Sequence, residues 1–331
     1  MHLKIPKIAI IGAGLAGLNL ARLLSDVAEI VVFEKSNKLC GRMATHESDG
    51  FSFDHGAQFF TAKNPAFKSF VKGLEAESVV AQWNARFVEL EPTNKESQRT
   101  WDSEFPHYVG IPTMNSIGKY LAKSLDVRFN QLITGIRRIE SSWFVEATGA
   151  EYGPFDWVVV TIPAAQADNI LPEVFYPKMY LQDVTMQPCF ALMLGYDKPK
   201  SFDWDAAFVS KSILSWVSIN SSKPNRNTPF TIVAMSKNDW AYENFERQES
   251  SVMAEMLAEL ARISGQKLDD AAYLKLKRWK YANAFKKDEP LELIDCASQL
   301  ACCGDWCISG RVESAFMSSV TLAKKLKDVI V

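Results

Sequence analysis

The sequence predicts an α/β protein in which a Rossmann-like lobe is interleaved with a substrate lobe built on a mainly antiparallel sheet plus helices. A β-branched run at residues 7–11 ends at three glycines spaced G-x-G-x-x-G (Gly12, Gly14, Gly17), and a helical pattern and a second apolar run closed by Glu34 follow. Two further apolar runs, 155–163 and 300–308, read as buried parallel strands although they lie far apart in the chain. Between them, alternating runs at 190–194, 206–209, 213–219 and 230–234 indicate an antiparallel sheet.

The first of these elements is a dinucleotide-binding unit. Gly12 permits the tight turn, Gly14 lets backbone N–H groups approach a pyrophosphate, and Gly17 lets the helix pack against the strand. The positive end of that helix, which carries Ala16, favours the phosphate charge. Glu34, about twenty residues on, is placed to accept from ribose hydroxyls, with Lys35 beside it. Asn19 and Arg22, together with the glycines, exclude a membrane span or signal peptide here.

Residues 35–45 are turn-rich where a plain NAD-binding fold would continue into another helix and strand. Residues 51–61 read as a short strand entering a glycine loop of the kind that brings amides against a flat ring, and Asn64–Pro65 caps a helix to about Val71. Residues 79–109, with a polar bulge at 91–99 and an aromatic loop at 101–108, form a first excursion from the nucleotide lobe. A helix to about Ser124, short strands over 127–147, and the buried run ending at Pro163 return the chain to it. From about Glu173 the antiparallel texture begins; a helix carrying Met253, Met256, Leu257, Leu260 and Ile263 and a long strand at 273–282 belong to it. Residues 312–330 are the closing helix.

With 331 residues, 47% of them hydrophobic and 23% charged, the chain is long enough for two lobes with a sizeable core. A net charge of −2 gives no electrostatic footprint for nucleic acid or an anionic membrane surface. Six cysteines without a secretory signal read as reduced thiols of a cytoplasmic protein. Cys296, Cys302, Cys303 and Cys307 lack paired C-x-x-C spacing and a nearby histidine, so no metal site is expected. No G-x-S-x-G elbow positions a nucleophile.

Gly304–Asp305, followed by Glu313 and Ala315 at the start of a helix, favours a flavin over a nicotinamide as the bound cofactor. Asp305 is expected near the ribityl chain, and the last helix directs its positive end at the flavin's pyrimidine edge, where negative charge develops on reduction. No cysteine stands in a recognised covalent-attachment motif, so FAD is expected to be held non-covalently.

These motifs, with Gly41–Arg42–Met43, the run Asp54 to Thr61, Gly110–Ile111–Pro112, Val160 to Gln166, Ser215–Trp216, Ser222–Lys223–Pro224 and Arg278 to Ala282, resemble the FAD-dependent amine-oxidase superfamily, and within it the renalase-like bacterial oxidoreductases. The resemblance covers nearly the whole chain. It implies cofactor contacts at Gly41, Arg42, Met43, Gly56, Ala57, Gln58, Phe59 and Pro163, beside those already named. It further implies an FAD-binding domain over 1–75, 110–172 and 290–331 and a substrate domain over 76–109 and 173–289. The implied reaction is oxidation of a small molecule by hydride transfer to flavin N5, with dioxygen as acceptor; in renalases the substrates are isomeric dihydronicotinamide dinucleotides. An amine oxidase or desaturase on the same scaffold is the alternative, and a flavin-binding sensor without turnover is another of a different class. Cys40 departs from the superfamily pattern, which usually has glycine there, and Lys277 stands where many bacterial relatives are expected to have histidine.

Hydride loss from a dihydropyridine leaves no proton to be removed, so the site need only place the donor carbon and exclude competing chemistry. Along residues 273–282 the strand period of two puts Lys277, Trp279 and Tyr281 on one face and Arg278 and Lys280 on the other. The first face, with Trp216, is the candidate substrate wall; Trp279 and Tyr281 are equally suited to a core, and Lys277 to holding a water, pairing with a carboxylate, or facing solvent. Residues 221–226 carry Lys223 and Arg226 and read either as a phosphate contact or as a plain turn.

Overall fold

The structure, a computed structural model, describes residues 5–91, 94–288, 291 and 293–330. The chain packs as two compact units, each assembled from separated segments.

The first unit comprises Met1–Arg42, Ile117–Met186 and Asn283–Val331. Its six-stranded sheet has the order Leu293–Asp295, Leu300–Cys302, Trp157–Val160, Lys7–Ile11, Glu29–Phe33, Asp126–Arg128. All neighbours run parallel except the first pair. The continuous β-branched runs are explained by burial on both faces. Ala9, Ile11, Val31, Phe33, Val158 and Val160 share a core with Ile133, Ile136, Trp143, Val145 and Phe155 of a three-stranded antiparallel sheet (Ile133–Ile139, Ser142–Ala147, Ala150–Phe155). The helices Leu15–Leu24 and Val312–Ile330 pack on each other, pinned by Asn19 Nδ2 donating to Ser319 Oγ at 2.8 Å. The expected strand at 300–308 is shorter than its apolar run, because Gly304 ends it and Asp305–Cys307 turns into a 3₁₀ helix.

The second unit comprises Met43–Ser116 and Gln187–Ala282. Its seven-stranded sheet has the order Tyr273–Ala284, Met186–Tyr196, Phe230–Ser236, Leu214–Ile219, Ala206–Val209, Arg86–Glu91, Asn94–Thr100. Ala206–Val209 runs parallel to Arg86–Glu91, while the pairings within residues 186–236 and between 86–91 and 94–100 are antiparallel. Val252, Met256 and Leu260 of the helix Glu249–Ser264 join one core of this sheet. Phe51 and Phe53 of the hairpin Thr45–Ser48/Phe51–Asp54 form another with Met193 and Val233. Asn64 Oδ1 accepts from Ala66 N at 2.9 Å and caps the helix Pro65–Ala76, which runs beyond the expected end at Val71.

Two expectations change. The polar bulge at 91–99 is in its described part the strand Asn94–Thr100, at the edge of the sheet, where an unpaired side tolerates polar residues. Residues 43–75 and 110–116, expected with the nucleotide lobe, pack in the second unit, and 173–186 and 283–288 pack in the first. The hairpin's aromatic face needs the antiparallel sheet to bury it, and Val80–Gln82 pairs with Tyr108–Gly110. The expected boundary at 289/290 lies outside the described residues.

Candidate functional site

In the first unit the carboxyl ends of adjacent parallel strands deliver Gly12, Glu34, Thr161–Pro163 and Gly304–Asp305, the edge at which open α/β sheets bind ligands. Gly12 has φ +110° and donates its N–H to Phe33 O at 2.8 Å. A β-carbon on Gly17 would lie 2.1 Å from Gly12 O, so no other residue lets the helix start this close to the turn. One on Gly14 would meet nothing within 4 Å, and that open face is what approach of a pyrophosphate requires. Gly14 caps the helix with no side-chain hydrogen bond, so the N–H groups of its first turn, Ala16 among them, are left to a ligand.

The Glu34 carboxylate ties this loop together: Oε2 accepts from Ala13 N at 3.0 Å, and Oε1 accepts from Ser36 N at 2.9 Å and Ser36 Oγ at 2.8 Å. Lys35 is exposed at the next position. Cys40 donates its N–H to Ala13 O at 2.9 Å with φ +82°, a conformation that favours glycine. Its thiol, pushed up to about 12 by burial, fills the space above Gly118, where a β-carbon would come within 2.7 Å of Sγ. Gly41–Met43 then forms a 3₁₀ turn from which the Arg42 guanidinium forks onto Asp305, with Nη1–Oδ2 at 2.8 Å and Nη2 on Oδ1. These two expected flavin ligands therefore hold one another. Trp306 Nε1 donates to Ile162 O at 3.0 Å, fixing the turn that leads through Pro163 into Ala164–Ile170. Glu313 occupies the first turn of Val312–Ile330, with half-buried Ala315 two residues on.

In the second unit the run His55 to Phe60 is held from several sides. Trp279 Nε1 donates to His55 O at 2.8 Å, and its ring stacks on the His55 imidazole at 5.2 Å between centroids. The Gln58 amide spends all its capacity inside the unit: Nε2 donates to Asp54 O and to Gly56 O (3.0 Å), while Oε1 accepts from Ser218 Oγ (2.8 Å) and Lys223 Nζ (3.4 Å). Gln58, which the resemblance places among the cofactor contacts, has its side chain engaged inside the unit, where it braces Gly56; Gly56 and Ala57 are themselves half-exposed. Met43 is buried. Phe59 lies among Trp101 (4.9 Å), His107 (5.1 Å) and Trp216 (5.1 Å). The period of the strand Leu214–Ile219 sends Trp216 and Ser218 to one face, towards Phe59 and Gln58. The buried indole nitrogens of Trp101 and Trp216 have no acceptor among the described residues.

The alternation expected for Tyr273–Ala284 holds for Trp279 and Arg278: Arg278 turns away from the loop to donate to Phe245 O and Arg247 O. Lys277 is exposed, with Nζ 5.1 Å from the Trp279 ring centre. Tyr281 is half-buried, and Lys280 reaches over its ring at 5.7 Å, departing from a strict two-face division.

Sequence reasoning missed a buried ionic cluster. Asp54 and Lys223 side chains are 0% exposed and that of Arg226 is 1% exposed. Lys223 Nζ donates to Asn220 Oδ1 (2.9 Å), Asp54 Oδ2 (3.2 Å) and Gln58 Oε1 (3.4 Å). Arg226 Nη2 donates to Asp54 Oδ2 at 2.5 Å, and Nη1 to Gly110 O (3.0 Å), Pro112 O and Pro224 O (3.2 Å). Thr45 Oγ1 and Met114 N donate to Asp54 Oδ1 at 2.7 and 3.0 Å. Burial alone would raise the Asp54 carboxyl, but Lys223, Arg226 and these hydrogen bonds hold it well below the usual carboxylate range. Burial lowers Lys223 to about 8 against the upward pull of Asp54. The reading of residues 221–226 as a phosphate contact is overturned for Lys223, whose three donors are engaged, and for Arg226, which is bound to Asp54 and three carbonyls. The available signal was the density of polar and charged residues around the hairpin and the 220–226 turn, charges that tolerate burial only when paired.

Among the described residues no group of His, Cys, Asp or Glu could hold a metal ion, and no helix is long and apolar enough to cross a membrane. Residues 10–74 match the family model for NAD(P)-binding Rossmann-like domains, and residues 83–326 match that for flavin-containing amine oxidoreductases. A 4,4'-diapophytoene desaturase (4,4'-diaponeurosporene-forming) of Staphylococcus aureus (strain Newman) is 51% identical over 51 residues, which are 15% of this chain and 10% of that protein. The chain thus spans about a tenth of the length of the curated relatives it matches. A crystal structure from Exiguobacterium sp. 255-15, provisionally named a protoporphyrinogen oxidase, superposes with a TM-score of 0.79 at 11% identity over 98% of this chain and 99% of that one. Wild-type putrescine oxidase bound to putrescine gives 0.73 at 15% identity over the same shares. These structures share the fold.

Proposed function

The chain belongs to the flavin-containing amine oxidoreductase family, and on that premise we propose that it is an FAD-dependent oxidoreductase. Its proposed substrate is a dihydronicotinamide dinucleotide isomer, as in the renalase-like proteins it resembles, and dioxygen receives the electrons. The carrying observation is the glycine turn: Gly12 and Gly17 admit no side chain without strain or collision, and the face of Gly14 is open. The residues fit FAD. Main-chain N–H groups after Gly14 would take the pyrophosphate and Glu34 the ribose, with Arg42 and Asp305 as a neutral pair along the same strand ends. FAD, when bound, supplies the two-electron acceptor, and the balanced reaction converts reduced dinucleotide, dioxygen and a proton into oxidised dinucleotide and hydrogen peroxide.

The protein's part is positioning. Phe59, Trp101 and Trp216 form an aromatic wall, with the His107 ring stacked on Trp101 at 3.6 Å, and such a wall suits holding a flat ring for hydride transfer. The two buried indole N–H groups would donate to a carbonyl or carboxamide on that ring. An amine oxidase or desaturase is the second reading, since an apolar aromatic wall also suits a neutral amine or a hydrocarbon and the matched relatives include a desaturase. Anaerobic mixing with a panel of dihydronicotinamide isomers, amines and polyenes separates them. Rapid bleaching of the flavin by one dihydronicotinamide isomer, with peroxide on readmission of air, is expected; bleaching only by amines or polyenes selects the second reading, and flavin that no donor reduces indicates a sensor.

A further inference from the structure

The second unit carries a cavity of about 250 Å³ that the proposed reaction does not use, and all of its lining residues belong to that unit. It lies on the other face of the seven-stranded sheet from the aromatic wall. Along Leu214–Ile219, Trp216 and Ser218 point to Phe59 and Gln58, whereas Val217 and Ile219 join the opposite core with Trp204, and Ile219 and Trp204 line the cavity. Phe202 and Phe230 supply flat apolar surface: their rings lie 6.1 Å apart at 17°, and Phe202 meets Trp204 edge-on at 4.8 Å.

The charges at this cavity are already matched. Arg86 forks onto Asp205, with Nε–Oδ2 at 3.0 Å and Nη2–Oδ1 at 2.8 Å, and Nη2 also donates to Phe202 O at 3.2 Å. Hydrogen bonds from Asp205, with the charges of Asp205 and Asp203, hold the guanidinium above its ordinary range. Lys200 Nζ gives its three N–H donors to Asp270 Oδ1 and Oδ2 (2.6 and 2.7 Å) and to Lys267 O (3.2 Å). Each cation thus has its own carboxylate and Asp203 adds another, so the cavity does not select an anion. What it holds in reserve are donors. Arg86 Nη1 has no acceptor among the described residues, and neither has the indole N–H of Trp204, a residue 4% exposed. Ser221 Oγ accepts from Thr231 N at 3.2 Å, but its own O–H is likewise without an acceptor there, unlike that of Ser222, which donates to Ile219 O at 2.8 Å.

We propose that this cavity binds a neutral, flat heterocycle whose carbonyl oxygens accept from Trp204, Ser221 and Arg86 while its ring lies against Phe202 and Phe230. Spare donors without spare carboxylates select a ligand that accepts hydrogen bonds and carries no charge. An anion would meet Asp203 and Asp205, and an amine would find both carboxylates of the ion pairs occupied. The inference is independent of the flavin reading, in which none of these residues takes part.

The test is calorimetric titration of the full chain, with FAD in excess, by caffeine, a neutral bicycle with ring carbonyls and no N–H. The wild type is compared with Trp204→Phe, which keeps a ring and removes the donor, Ser221→Ala, and Phe202→Leu. Saturable one-site binding is expected in the wild type, weakened roughly tenfold in each of the first two variants by the loss of one hydrogen bond, and weakened also in the third. Benzoate should bind less tightly than caffeine. No saturable binding to the wild type, wild-type affinity in any folded variant, or tighter binding of benzoate overturns the proposal. Each of these results leaves the flavin reading as it stands, whereas a chain that takes up no FAD but binds caffeine with this pattern overturns the flavin reading alone.

Discussion

Gly12, Gly14 and Gly17 serve the first unit through side chains they lack, whereas Asp54, Gln58 and Lys223 serve the second through side chains that reach across 160 or more residues of sequence. In the first case the turn is local and its geometry follows from a short run. In the second, the contacts of the run Asp54 to Phe60 come from several distant segments: Trp279 from one edge of the sheet to His55, Ser218 from its middle to Gln58, Lys223 from a turn to Gln58 and Asp54, and Arg226 of the same turn and Met114 to Asp54. A site made from absent side chains therefore tolerates no addition. One made from converging side chains tolerates no unmatched deletion.

Gly17→Ala should have the largest effect, because its β-carbon would lie 2.1 Å from the backbone oxygen of Gly12 and no flexible side chain can yield. The expected outcome is protein that is colourless on purification or insoluble; a yellow variant with wild-type melting would break the account of the turn. Asp54→Asn comes next. It leaves Lys223 and Arg226 buried without their counter-ion, and breaking such a pair costs about 3–5 kcal/mol, read as a lower denaturant midpoint. Lys223→Met should lose far less, because it leaves a neutral Asp54–Arg226 pair. Equal losses would contradict the pairing of Asp54 with Arg226.

The same cluster fixes the sign of the pH dependence. The Asp54 carboxyl is lower in the folded protein than in the unfolded chain, so its stabilisation is present at neutral pH and is lost as pH falls through its folded value. Lys223 is depressed to about 8 from the ordinary lysine value, so the unfolded chain binds more protons above 8 and this group makes stability rise with pH over that interval. A stability profile of Lys223→Met should lack that alkaline rise.

Trp279→Ala is expected to release His55, with part of the about 3–5 kcal/mol that aromatic truncation costs in a full core, because the ring is half-buried. If Trp279 bounds the substrate, the flavin of the folded variant is also reduced more slowly; a normal anaerobic rate with a collapsed melting temperature would return it to packing. Glu34→Ala is the smallest of the series at roughly 1–3 kcal/mol. It removes an acceptor from Ala13 N–H as well as from a ribose, so weakened FAD retention should accompany a slight loss of stability, and unchanged occupancy after dialysis would remove Glu34 from the cofactor site.

Most of the first unit was legible in the sequence because its elements are specified by neighbours a few residues apart. The β-branched runs at 7–11 and 157–160 became central parallel strands, whereas the run at 300–308 keeps its strand only over Leu300–Cys302. The antiparallel strands and the alternation of Arg278 with Trp279 were legible for the same reason. The affiliation of 43–75 was not, because Phe51 and Phe53 declare a need for burial without naming the surface that meets it. Lys223 and Arg226 read as a phosphate contact or a plain turn because their own stretch does not identify Asp54, 169 residues away from Lys223, as the partner. Gln58 entered the site only through the resemblance, and the distant partners that engage its amide, Ser218 and Lys223, are not announced by the residues around it.

The central claim, that the glycine turn and the strand ends beside it hold FAD without a covalent bond, is tested most directly by the visible spectrum of the purified protein before and after denaturation with acid or heat. The account predicts a yellow protein that releases stoichiometric FAD into the supernatant. Colourless protein that takes up no added FAD, or flavin that stays with the precipitate, would contradict it.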